Sequence, residues 1–282
     1  MLSKKELCKI FLNKTNIFLC PYCHESLLLE GTNLRCTNNH NFDIGKKGEL
    51  FLVKTSSYKE SAIYNRELFL NRREFIKNNF YKNVYDIIAY IINKYSNKDI
   101  MILDLGCGEG IHSKNIQDRI ILNNRLVGID ISKSAINLAT DYISGNNIYL
   151  VGDINNLPIK ENSIDIVIDF LSPFNTAELK RVMKENGIVI KISPGLNYLR
   201  ELKNKDYEKE LEVKSNIEKN FNIVESYKIT DKFSINNKQV ENLMGMTPMN
   251  NNLLCNNIEQ ITIDLNIYVM KKKIKKLHAF LF

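Results

Sequence analysis

Four residues of this chain carry metal-ligand chemistry at a telling spacing. Cys20, Cys23, Cys36 and His40 form a C-x2-C-x12-C-x3-H pattern. A C-x2-C turn brings two thiolates to one edge of a tetrahedron, and a second turn supplies a third thiolate and an imidazole. With four ligands and no open position, the expected zinc ion is structural. It replaces a hydrophobic core that about thirty residues cannot build. Pro21 suits the first turn, and residues 27–29 with Gly31 and Asn33 read as a hairpin between the ligand pairs.

A second stretch, residues 100–110, reads I-M-I-L-D-L-G-C-G-E-G. Its apolar run ends in Asp104 and reads as a buried parallel strand. Gly106, Gly108 and Gly110 follow at alternate positions, and a helix opens after them. Glycine lets the backbone approach a ligand closely, so this is a nucleotide-type crevice. The spacing is neither that of a dinucleotide site nor that of a P-loop, and no lysine follows to neutralise a phosphate. The expected ligand is therefore not strongly anionic, and S-adenosylmethionine fits better than NAD or ATP. Two later strands also end in carboxylates. Asp130 closes residues 125–130 and can accept from two ribose hydroxyls. Asp153 closes residues 148–153, where it can accept from the adenine amine while Ile154 covers the ring. Three such strands in succession resemble the class I S-adenosylmethionine-dependent methyltransferases over residues 99–194.

The elements that must position these groups follow from periodicity. Leu7, Ile10 and Phe11 suggest a short helix within residues 1–19. Residues 49–53 read as a short strand that finishes the zinc lobe. Residues 58–80, with Arg66, Arg72, Arg73 and Lys77, read as a mixed-charge helix linking the lobes. Tyr85, Ile88, Ala89, Ile92 and Tyr95 mark a helix packed on the sheet. A fourth strand over residues 163–169 ends in Asp169 and runs to a turn at Ser172 and Pro173. A helix over residues 177–183, a turn at Asn186 and Gly187, and a strand over residues 188–192 come next. Residues 221–226 and 261–269 read as a closing antiparallel pair. The expected fold is α/β, a class I Rossmann-like methyltransferase with a seven-stranded, mostly parallel sheet and a small N-terminal zinc-binding domain. Its expected parts are a zinc lobe (1–55), a linker helix (56–83), the methyltransferase domain (84–273) and a basic tail (274–282).

Composition sets looser bounds. With 282 residues, 44% hydrophobic and 25% charged, the chain suits one α/β domain and an appendage. A net charge of +7 is compatible with a polyanionic partner but decides nothing. No run reaches the roughly 18 apolar residues of a membrane span, and the N-terminus lacks a signal-peptide pattern. Six cysteines in the expected cytoplasmic, reducing setting point to metal or buried thiols rather than disulfides.

Taken together, these residues resemble the bacterial large-subunit rRNA guanine-N1 methyltransferases, the RlmA-like enzymes. The Cys-Pro-x-Cys finger precedes the glycine loop, Gly128, Asp130, Ser132 and Lys133 fit the family's second motif, and Leu157-Pro158 fits its Leu-Pro. Pro194-Gly195 with Leu199, Glu201, Leu202 and Lys203 matches its proline-glycine signature, and Met246, Thr247 and Pro248 match its Met-Thr-Pro. The resemblance implies methylation of N1 of a guanine in a hairpin of 23S rRNA. It implies cofactor contacts from Tyr81, Gly108, Glu109 and position 198, where Tyr198 stands in place of the histidine of relatives. The expected cofactor set is thus Tyr81, Asp104, Gly106, Gly108, Glu109, Asp130, Asp153, Ile154 and Tyr198. Guanine N1 must lose a proton, and Asp169 is the candidate base; Phe174 is a candidate stacking surface for the guanine. Further expectations are a homodimer and a zinc lobe that reads RNA through Lys46, Lys47, Lys54, Arg66, Arg72 and Arg73. A chain beginning at Tyr58 should then keep its cofactor affinity. Two alternatives are a methyltransferase acting on a small molecule and a non-catalytic zinc-dependent RNA-binding protein of ribosome assembly.

Overall fold

Ser3 opens the first helix, α1 (Lys4–Asn13), with a reciprocal cap: its hydroxyl accepts from the Glu6 N–H, and the Glu6 carboxylate accepts from its own N–H. Cys8, Phe11 and Leu12 form the buried stripe of α1. The structure is a computed structural model and describes residues 2–56, 58–96, 98–202, 209–247 and 258–273. Lys203, Pro248 and the tail 274–282 therefore lie outside the described residues. After α1, β1 (Leu28–Glu30) and β2 (Asn33–Arg35) form the expected hairpin, and β3 (Asn41–Asp43) pairs antiparallel with β2. The chain continues through β4 (Leu50–Phe51), α2 (Arg66–Ile76), α3 (Lys82–Tyr95), β5 (Ile100–Leu105) and α4 (Ile111–Gln117). Next come β6 (Asn124–Asp130), α5 (Lys133–Ala139), β7 (Asn147–Val151), β8 (Ile164–Phe170), α6 (Thr176–Val182) and β9 (Met183–Pro194). Last are α7 (Lys209–Asn220), β10 (Phe221–Ser234), α8 (Asn237–Gly245) and β11 (Gln260–Lys272).

One large sheet carries the fold, in the order β10-β11-β9-β8-β5-β6-β7-β4. It has eight strands, not the expected seven, and only β11 runs against the others. All six residues of β5 are buried, as a strand covered on both faces requires. The extra strand is β4, which pairs in parallel with β7 (Leu50 beside Leu150, Phe51 beside Val151) instead of closing the zinc lobe. The Leu52 N–H extends that ladder by donating to the Val151 carbonyl at 2.8 Å.

The apolar layer on one face of the sheet is therefore shared. Cys20, Leu27 and Leu34 of the zinc lobe and Phe11 of α1 belong to one buried cluster with Leu103, Ile129, Ile148, Leu150 and Ile159. The zinc lobe covers the sheet where a helix would otherwise pack.

Two other expectations are corrected. Residues 58–80 are not one helix: α2 starts only at Arg66, where the Asn65 side chain accepts from the Leu68 N–H. Before it, residues 58–65 run as a strap, with Tyr58 edge-on to Phe51 and Glu60 accepting from Ser134. Asn186 and Gly187 do not form a turn between two elements but a bulge inside β9, where the register with β8 shifts. A Cβ at Gly187 would lie 3.1 Å from three backbone carbonyl oxygens. Among the described residues no helix is long and apolar enough to cross a membrane.

Candidate functional site: a cofactor crevice and a zinc centre

The glycine loop leaves the end of β5 with Gly106 and Gly108 in the left-handed region, at φ +64° and +56°. A Cβ at Gly106 would lie 2.6 Å from the Cβ of Ser172, so the loop after β5 is pressed onto the loop after β8. The Ser172 hydroxyl fastens the two by donating to the Leu105 carbonyl at 2.8 Å. Asp130, half-buried at the tip of β6, accepts from the Gly108 N–H at 3.0 Å and from the Ser132 N–H at 2.8 Å. Its two oxygens keep further lone pairs, which is what a ribose diol needs. Asp153, half-buried after β7, accepts from the Asn155 N–H. Ile154 is turned into the apolar layer with the zinc lobe. Ile131, beside Asp130, is the exposed apolar side chain at this edge, 45% accessible.

Asp104 and Glu109 are fully inside. Asp104 accepts from the Ser113 hydroxyl through one oxygen, and its other oxygen has no partner among the described residues. The same holds for one oxygen of Glu109. Unpartnered buried carboxylate oxygens are costly unless a ligand completes them. The loop therefore fits a ligand that brings cationic, hydrogen-donating groups, and S-adenosylmethionine carries an ammonium and a sulfonium.

Burial pushes the Asp104 and Glu109 carboxyls up to about 7. A carboxyl raised above its unfolded value of about 4 contributes stability that is full below that value and is lost as pH rises through the folded pKa. The ligand-free protein should thus melt lower at pH 8 than at pH 5.5, and added S-adenosylmethionine should raise the melting temperature more at pH 8. Melting scans with and without it test this; equal ligand-induced shifts at the two pH values would contradict it.

An aromatic wall faces the loop. Tyr81, just ahead of α3, is buried and shares a 2.8 Å hydroxyl–hydroxyl hydrogen bond with Tyr198, from the turn after β9. Tyr85 bonds His112 Nδ1 at 2.7 Å, and the His112 ring stacks on Phe170 at 3.9 Å. Burial drives the His112 pKa down to about 3, so the ring is neutral. His112 and Phe170 were not legible in the sequence, because nothing in their spacing marks them.

At the end of β8, Asp169 is wholly buried. Its Oδ1 accepts from Lys191 Nζ at 2.9 Å and from the Ser172 hydroxyl at 2.9 Å. A base must come within about 3 Å of the proton it takes. Asp169 anchors the Ser172 turn and pairs with Lys191 through Oδ1, while its buried Oδ2 has no hydrogen-bond partner among the described residues. Phe174 is half-buried, with Lys191 Nζ 5.2 Å from its ring centroid.

Of the expected basic track, Lys46, Lys47 and Arg66 are exposed, but Arg72 and Arg73 are placed otherwise. Arg73 is buried: it pairs with Asp141 at 2.7 Å and donates to the carbonyls of Glu109 and Leu138. Arg72 points over Gly108, with Nη1 3.5 Å from where a Cβ would be. Arg73 is thus inside and Arg72 half-buried.

The metal-ligand residues come together as spaced. Their ligand atoms all lie within 4.8 Å of one another. Cys20 Sγ and Cys36 Sγ are each 3.4 Å from His40 Nδ1, and Cys23 Sγ is 3.7 Å from Cys36 Sγ. Tetrahedral zinc with bonds near 2.0–2.3 Å has edges of roughly 3.4–3.8 Å, so the group fits zinc. Tyr22 stacks on His40 with centroids 5.1 Å apart, and its hydroxyl meets Thr55 Oγ1 at 3.0 Å. One zinc per chain is expected by elemental analysis, with loss of the metal in Cys36→Ser; metal-free protein after purification in zinc would contradict this.

Comparison with known proteins agrees with this geometry. The family model described as "RlmA, N-terminal" matches residues 18–55, and the one described as "Methyltransferase domain" matches residues 102–191. A protein of Bacillus subtilis (strain 168), YxjB, provisionally named a 23S rRNA (guanine-N(1)-)-methyltransferase, is 33% identical over 195 residues, covering 67% of this chain and 68% of that protein. The 23S rRNA (guanine(748)-N(1))-methyltransferase of Streptomyces fradiae is 21% identical over 192 residues, covering 67% and 68%. Among solved structures, a SAM-dependent methyltransferase from Aquifex aeolicus is 17% identical with a TM-score of 0.43, covering 65% of this chain and 89% of that one. A zinc ribbon of the RlmA type, a glycine loop closed by carboxylates and a relative at this identity converge, and the chain belongs to the S-adenosylmethionine-dependent 23S rRNA (guanine-N1) methyltransferases.

Proposed function

We propose that this protein methylates N1 of a guanine in a hairpin of 23S rRNA. The observation that carries the reading is the placement of β4. Because β4 runs parallel to β7, its C-terminal end emerges beside Asp153, at the edge where the crevice opens. Val53, Lys54 and Thr55 follow there, and Tyr22 of the zinc lobe is bonded to Thr55. The zinc module thus sits flush with the mouth of the crevice, a place suited to holding a large substrate. A methyltransferase acting on a small molecule has no use for such an extension.

When bound, S-adenosylmethionine supplies an electrophilic methyl group; the chain supplies position. Gly106 and Gly108 give close backbone approach, Asp130 orients the ribose and Asp153 the adenine edge. Tyr81 and Tyr198 wall the reacting end. Phe174 offers a ring face on which an extruded guanine can stack, and the Asp169–Lys191 pair fixes the turn that carries it. Alignment of N1 with the methyl group is then the main catalytic contribution.

The test is transfer of labelled methyl from S-adenosylmethionine to unmodified 23S rRNA and to an isolated hairpin, followed by mapping of the modified base. Label at guanine N1 in both supports the reading; label on a small molecule alone, or on another atom, would refute it. A homodimer, the remaining expectation about assembly, is checked by sedimentation of the protein with and without the hairpin.

A further inference from the structure

Helix α2 crosses the glycine loop and brings one uncommitted cation to it. Arg72 is half-buried, with its guanidinium carbon 5.2 Å from the Phe69 ring centroid. Its Nη1 and the Phe69 Cε1 are the nearest atoms to the missing Cβ of Gly108, at 3.5 and 3.7 Å. Among the described residues Arg72 has no hydrogen bond and no ion pair, although Glu109 and Asp130 both feel its field. Its neighbour Arg73 is held by Asp141 and two carbonyls. A guanidinium presents five donors in a planar fork that matches a carboxylate, and one aimed at a glycine of the loop with no hydrogen bond or ion pair among the described residues is suited to receive an anion.

The charges at the loop indicate which anion. Asp104, Glu109 and Asp130 suit the sulfonium and ammonium of S-adenosylmethionine, but they repel its α-carboxylate. We propose that Arg72 receives the α-carboxylate of the methionine half, so that α2 clamps the amino-acid end of the cofactor over Gly108. The half-buried position, facing the loop, favours this over a contact with an RNA phosphate. The inference rests on the cofactor reading and is independent of which RNA is methylated.

Calorimetry on the full-length protein separates the outcomes. The probes are S-adenosylhomocysteine and 5′-methylthioadenosine, which keeps the nucleoside and thioether but lacks the amino-acid end. Arg72→Met is expected to weaken S-adenosylhomocysteine roughly ten- to a hundredfold, the range for a lost charged hydrogen bond, and to leave 5′-methylthioadenosine unchanged. Arg72→Lys should recover part of the loss, because it keeps the charge and loses the fork. If Arg72→Met does not fold, Arg72→Lys alone must show the selective loss. Wild-type affinity for S-adenosylhomocysteine in Arg72→Met overturns the proposal, as does equal weakening of both ligands, the mark of a merely structural role. Unchanged S-adenosylhomocysteine with weakened rRNA binding assigns Arg72 to phosphate and overturns it too. Wild-type protein that binds neither ligand refutes the cofactor reading itself, and the clamp with it.

Discussion

A chain truncated to begin at Tyr58 is expected to lose cooperative folding, not RNA binding alone. The truncation removes β4, the edge strand of the main sheet, and with it α1 and the zinc lobe that cover one face. Ile148, Leu150, Leu157 and Ile159 are at most 1% accessible in the whole chain, and they share a buried cluster with Phe11, Phe18, Leu50 and Leu52. Full exposure of such a side chain costs about 1.5–3 kcal/mol. The four together approach the roughly 5–15 kcal/mol by which a domain is stable. The sequence suggests the opposite, a detachable finger ahead of a self-sufficient domain, whereas in the structure the lobe and the sheet share one buried cluster. Near-ultraviolet circular dichroism and urea unfolding of the truncated chain decide the matter. A sharp unfolding transition with unchanged S-adenosylhomocysteine affinity would show that the lobe is an appendage after all. By the same argument, chelation of zinc from the intact protein should lower its melting temperature in a single transition, and two separate transitions would contradict the shared core.

The second large effect is expected at Asp130. Its carboxylate accepts from the Gly108 and Ser132 N–H groups and so ties the glycine loop to the first turn of α5. Asp130→Ala should weaken S-adenosylhomocysteine by roughly 1.5–3 kcal/mol, the range for hydrogen bonds to a charged group. It should also lower the melting temperature, since two backbone donors lose their partner. Asp130→Asn separates the two roles. One amide oxygen can still accept from one of the N–H groups, whereas the amide nitrogen now faces a donor, so cofactor binding should suffer with a smaller stability loss. Calorimetry and melting scans of both variants are the measurement, and wild-type affinity in Asp130→Ala would remove Asp130 from the crevice.

Some of this protein was legible in the residues alone, for a local reason. The zinc ligands lie in two short turns, so the spacing of Cys20, Cys23, Cys36 and His40 nearly dictates their meeting. The glycine loop is similar: an apolar strand, three glycines with positive φ and a helix start are contiguous in the chain. Other features were decided by packing between distant segments. β4 reads as a strand, but its pairing of Leu50 with Leu150 depends on which edge of the finished sheet is left uncovered. Arg72 and Arg73 are adjacent in a charged stretch, yet the seating of α2 on the glycine loop buries one in an ion pair and aims the other at Gly108. Asp169 ends a strand where a candidate base is expected, but its ion pair with Lys191, one strand over, is set by the sheet. The wall of Tyr81, His112, Phe170 and Tyr198 draws on four separate parts of the chain. Local spacing fixes what a turn can ligate, whereas the direction in which a side chain points depends on how its helix or strand is rotated against the rest, which only the assembled core determines.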